Sequence, residues 1–165
     1  MPLPARRRTL SDGRRRKTNG SQMANGTANV TADGVATRGK VIAVKDGVVH
    51  LAPAGTNYEM HLLAPSFSPA VGAQAQGTIR VTARKVWTVP SGGNFIAPIF
   101  GSPRTIQGRV RALDERSMVV LAGVPILVEL PADETGYDLV NGPIAVGVMV
   151  NVVALPGARF EPVVK

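Results

Sequence analysis

Residues 39–46 read GKVIAVKD, and residues 108–115 read GRVRALDE. Gly39, Val41 and Ala43 recur unchanged as Gly108, Val110 and Ala112, and Lys40/Arg109, Val44/Leu113 and Asp46/Glu115 are conservative pairs. Working outward, each octet runs into a turn and a second apolar run: GVVHLAP (47–53) against SMVVLAG (117–123). A third run follows, YEMHLL (58–63) against ILVELP (126–131). After a Gly/Pro-bearing connection comes a longer one, GTIRVTARKVWTV (77–89) against IAVGVMVNVVAL (144–155). A period near 69 residues exceeds a solenoid unit and reads as two copies of a small β domain. The competing reading is two hairpin-rich segments that share ordinary strand chemistry.

Successive side chains on a strand point to opposite faces, so alternation assigns an inner and an outer side. Val41 and Ala43 then face one way, with Lys40, Ile42 and Val44 the other. In the second octet Val110 and Ala112 take the inner face while Arg109 and Arg111 point out. Along the long run Ile79, Val81 and Ala83 oppose Thr78, Arg80, Thr82 and Arg84. The Arg84-Lys85 step breaks this order before Val86-Trp87, and a β-bulge there restores it.

The expected fold is therefore all-β: two tandem small OB-like β-barrels, related as an internal repeat, behind a disordered basic N-terminal arm. Five short strands with the longer connection after the third match that class of Greek-key barrel. A single β-sandwich is the structural alternative. The expected divisions are an arm over 1–36, a first barrel over 37–90, a linker over 91–104 and a second barrel over 105–165. The linker, within PSGGNFIAPIFGSPR (90–104), carries Phe95, Ile96, Ile99 and Phe100. Four large apolar residues in a Gly/Pro-rich connection are expected to pack between the barrels rather than to stand exposed as a docking patch.

Composition supports this reading. With 18 Gly, 13 Pro and only seven aromatic residues, the core must rest on Val, Ile, Leu and Ala, and short strands and turns are favoured. The absence of cysteine removes disulfides, thiolate metal sites and cysteine nucleophiles, and fits a reducing, cytoplasmic location. No apolar run reaches the roughly 18 residues that span a bilayer, and none follows Arg7-Arg8 as an export signal requires. Charge is uneven. Residues 1–22 hold seven basic side chains and one acid, and residues 23–165 hold twelve and ten. A segment of Arg, Ser, Asn, Gly and Thr cannot bury enough surface to offset its ordering entropy. Met23 opens MANGTANVTADG and is itself a plausible start of translation.

Catalytic patterns are thin. No G-x-S-x-G element, P-loop or dinucleotide fingerprint occurs, and Ser91-Gly92-Gly93-Asn94 reads as a turn. Asp133, Glu134 and Asp138 fall in PADETGYD, a turn-forming loop. His50, His61 and Glu59 are a legitimate metal-ligand set if their strands pair as a hairpin. Alternation leaves the register of His50 open, however, and the second half does not repeat the set. No metal, no cofactor and no enzymatic activity are expected.

Binding is the better expectation. Lys40, Arg80, Arg84, Lys85, Arg104, Arg109 and Arg111 all fall on outward positions or in the linker, and together are expected to form a basic stripe across the junction. Arg6, Arg7, Arg8, Arg14, Arg15, Arg16 and Lys17 of the arm add phosphate contacts and salt dependence. Trp87, Tyr58 and Phe95 are the candidates for base stacking. The expected function is non-enzymatic, phosphate-directed binding of nucleic acid, RNA foremost and within a ribonucleoprotein. With so few aromatics, weakly sequence-selective backbone contact of the kind made with structured RNA or duplex is expected over single-strand stacking. The runner-up is a structural protein whose barrels contact other proteins in a larger assembly.

Overall fold

The computed structural model describes residues 35–163. The arm expected over 1–36 therefore lies outside the described residues, apart from its last two. Twelve strands form one sheet system: β1 (Ala36–Lys45), β2 (Val48–Pro53), β3 (Glu59–Leu63), β4 (Gln74–Thr88), β5 (Phe95–Ala97), β6 (Phe100–Gly101), β7 (Thr105–Leu113), β8 (Ser117–Leu121), β9 (Pro125–Glu129), β10 (Tyr137–Asp138), β11 (Met149–Ala154) and β12 (Arg159–Pro162). The all-β class follows from the Val-rich alternating runs. Turn residues separate them, as at Asp46-Gly47, where both φ angles are positive and β1 folds back onto β2.

The two octets adopt the same irregularity. Pairing of β1 with β2 shifts between Val41 and Ala43, and pairing of β7 with β8 shifts between Val110 and Ala112. The bulge corrects the face assignment made by simple alternation. Past it Val44 and Leu113 pack against the main core, while Ala112 joins a separate outer cluster with Val119, Leu127 and Val35. Backbone bonds match as well. The Val41 amide donates to Ala73 O and Gly72 N to Val41 O; the Val110 amide donates to Val148 O and Gly147 N to Val110 O. Gly72 and Gly147 both take left-handed φ angles, +91° and +93°, a region that favours glycine.

The strands are not sorted by half. The fifteen-residue β4 runs antiparallel to β11 and β12 along one edge, from Val150↔Thr88 to Pro162↔Gly77. Its other edge takes β1, then β9 in parallel, then β10. The β11–β12 pair is arranged alike: β7 lies on β11, and β3 meets β12 in parallel at Leu63↔Arg159. The pairing path β1–β2–β3–β12–β4 thus returns to β1, and β7–β8–β9–β4–β11 returns to β7. Each path borrows from the other half, and one core of buried residues, from Val41 through Phe160, serves both. The predicted bulge in β4 is present: Val153 pairs with Lys85 and Ala154 with Ala83, leaving Arg84 unpaired on that edge.

Residues 91–104 depart from the expectation of a buried linker. Ile96 is 1% exposed, but Phe95, Ile99 and Phe100 are 38%, 54% and 64% exposed. The segment is recruited as strands, β5 onto β7 and β6 onto β3, which buries only the side chain facing the core. No described helix is long and apolar enough to cross a membrane.

Candidate functional site

Two surfaces bring polar and aromatic groups together. The first is the outer face of β4, β11, β7 and β5. Val86, Val152, Ile106 and Ile96 pair in one row and are all buried, so the residues flanking them turn outward. Register then fixes two outward rows: Trp87, Asn151, Gln107 and Phe95, and beside it Lys85, Val153, Thr105 and Ala97. At about 4.8 Å per strand, the backbones of Trp87 and Phe95 are about 14 Å apart across the platform.

Cations border it. The Lys85 ammonium lies 5.3 Å from the centre of the Trp87 ring, a cation–π contact that a flexible lysine can give up. Arg109 is exposed and donates from Nη1 to Gly147 O at 2.9 Å, which leaves most of its donors open. Arg104, also exposed, precedes Thr105 at the edge of the second row. Asn151 Oδ1 is a buried acceptor without a hydrogen-bond partner in the middle of the first row. Gln107 Nε2 is spent on Gly93 O at 2.9 Å.

The remaining sequence candidates fall elsewhere. Arg80 is not free: it donates to Glu129 at 2.9 Å and to Glu161 at 3.1 Å. Lys40 lies on β1 opposite Ala52 and Gln74, away from the platform. Arg84 and Arg111 are exposed at bulges, and the former borders a cleft with Leu130, Pro131, Asp133 and Gly136. Arg6, Arg7, Arg8, Arg14, Arg15, Arg16 and Lys17 lie outside the described residues. Tyr58 is structural; its hydroxyl donates to Ala122 O and accepts from Ile96 N. In the PADETGYD loop Asp133 caps the 3₁₀ turn Glu134–Gly136 and Asp138 accepts from Val140 N, as turn residues do. Asn151 and Gln107 were not among the sequence candidates, although the alternation of MVNVVA already placed Asn151 opposite the buried valines.

The second surface is the β2–β3 hairpin. Pairing places His50 directly opposite His61, a register that alternation alone left open. Their rings stack at 3.7 Å with 10° between planes, and Phe100 meets His61 edge-on at 4.9 Å. Glu59 Oε2 lies 3.8 Å from His50 Nδ1 and 3.5 Å from His61 Nε2.

No protein-family model, curated protein or solved structure matches this chain.

Proposed function

We propose that the protein binds single-stranded nucleic acid across the β4–β11–β7–β5 platform, without catalysis. The observation that carries this reading is the row itself: two aromatic residues three strands apart, about 14 Å between backbones, on one outward face, with lysine and arginine at its margins. Aromatic rings stack on any base and cations follow the backbone, so contact of this kind is sequence-tolerant and salt-dependent. The two pairing paths are read as a pair of small OB-like barrels that share β4, and single-strand binding along a positive groove suits that architecture. RNA within a ribonucleoprotein is the favoured setting, with the arginines of residues 6–17 adding unspecific phosphate contacts.

Trp87 is the chain's only tryptophan, so its fluorescence reports on the platform directly. Oligouridine and oligothymidine titrated into residues 1–165, and into a chain beginning at Met23, are expected to quench it in both. Trp87→Ala, which lacks the fluorophore and is followed instead by the anisotropy of a dye-labelled oligonucleotide, should weaken binding on the order of tenfold, the loss of about 1–3 kcal/mol per stacked base. Changing Lys85 and Arg109 to Ala should lower the salt slope by about one per phosphate contact. Binding by the full chain alone, indifferent to Trp87, would leave only a generic polycation. The exposed Ile99 and Phe100 favour a second reading, protein contacts in an assembly. No binding by either chain, with concentration-dependent association lost in Phe100→Ser, would select it.

A further inference from the structure

The hairpin cluster has features that a solvated polar patch does not need. His61 Nε2 is buried and has no hydrogen-bond partner. Glu59 Oε2 lies 3.5 Å from it, beyond a sound hydrogen bond, and His50 Nδ1 stands 3.8 Å from the same oxygen. Three donor atoms thus converge without bonding to one another, all within 4.8 Å. Ligands at 2.0–2.2 Å from a four-coordinate ion are separated by about 3.3 Å, and because an ion lies in the plane of each imidazole that binds it, the two stacked rings must turn out of their parallel arrangement to close the set. The backbone holding them is fixed on both sides, since β2 pairs β1 as well as β3, and β6 lies along β3 at Glu59.

We infer that His50, Glu59 and His61 bind a divalent first-row transition metal, with zinc the ion best suited to two imidazoles and a carboxylate. Three protein ligands leave a fourth position free, and both histidines also line a cleft with Lys45, Asp46 and Ser102. The corresponding hairpin of the second half supplies a contrast within the same molecule. Val49↔Leu62 and Val120↔Ile126 are buried pairs, and the outward pairs beside them are His50↔His61 and Val119↔Leu127. There the outward pair is apolar and is covered by Val35 and Ala112. One outer hairpin face is closed by packing, and the other carries the chain's only two histidines. The site uses no residue of the platform, so its failure leaves the nucleic-acid reading untouched.

With two histidines and no cysteine in the chain, imidazole coordination can come only from this cluster in protein prepared without a histidine tag. Calorimetric titration of the full chain with Zn²⁺ should give one ion per chain. Co²⁺ should show the intense visible bands of a four-coordinate site. At zinc a hundredfold above its Kd the unfolding midpoint should rise by roughly 5–10 °C. His50→Val with His61→Leu installs the residues of the other hairpin, and should keep the metal-free melt while lowering zinc affinity at least about a hundredfold. If that variant does not fold, Glu59→Gln decides, with about a tenfold loss expected. Failure of the wild-type chain to bind either ion at about 100 μM would overturn the site, as would unchanged affinity in the variant that decides.

Discussion

Glu129 closes β9 where three partners meet it: Thr82 Oγ1 donates at 2.8 Å, Arg80 at 2.9 Å, and Arg159 stands at 3.7 Å. Burial opposes its ionisation, but the bonds from Thr82 and Arg80 and the charges of Arg80 and Arg159 outweigh that and hold its carboxyl below the usual 4.5. A depressed folded value stabilises the protein fully above the unfolded one, and the contribution disappears as pH falls through the folded value. Glu129→Gln should therefore cost about 1 kcal/mol at pH 7, a figure kept small because the side chain is 37% exposed. The gap to wild type should close as pH is lowered past about 4, followed by denaturant melts at each pH. An equal gap at pH 7 and pH 3 would show that lost packing, not charge, is responsible. The arginine that sequence reading assigned to an outward stripe is, by the same contacts, a structural cation. Position on a strand tells which way a side chain points, not which acid from another strand waits there.

Among the elements, β4 decides most, and its glycine shows why. A side chain at Gly77 would meet Glu161 O, the Phe160 ring at 2.6 Å and Pro162 Cα at 2.8 Å, because β12 lies directly across it. Gly77→Ala should cost about 2 kcal/mol or more, since backbone on β12 would have to shift. Gly93→Ala meets nothing within 4 Å and should stay within about 0.5 kcal/mol, so the pair of melts separates crowding from the general effect of losing a glycine. Much at this scale was legible beforehand. The broken alternation at Arg84-Lys85 announced the bulge, and β2, β3, β8 and β9 lie within a residue or two of where the apolar runs placed them. β12 was missed although Ala158, Arg159, Phe160 and Glu161 alternate. A break at Leu155–Gly157 separates it from β11, and a four-residue strand gives little periodic signal. The platform was half legible: Trp87, Phe95 and Lys85 were named, but a row across four strands depends on register, which one strand's pattern does not contain.

For the whole molecule the consequence of interleaving is that neither half holds its own structure. A fragment ending at Pro90 would leave β4 beyond Thr78 without β9, β11 or β12, and a fragment starting at Thr105 would lack β4 altogether. Neither fragment should unfold cooperatively alone, and mixing the two should restore a cooperative melt. A native-like transition in either one by itself would contradict the shared core. Such partnering is invisible to a reading of repeats, which shows that two segments are alike but not whose edge each strand takes. Those edges carry a further meaning. β1, β2, β3, β4, β7, β8, β9, β11 and β12 each have a strand on both sides over at least part of their length. A valine-rich sheet with open borders is a template for adding foreign chains, the route to aggregation. By lending strands between its two halves, this chain covers most of its own borders, and the four residues of β12 complete the cover over β3 and β4.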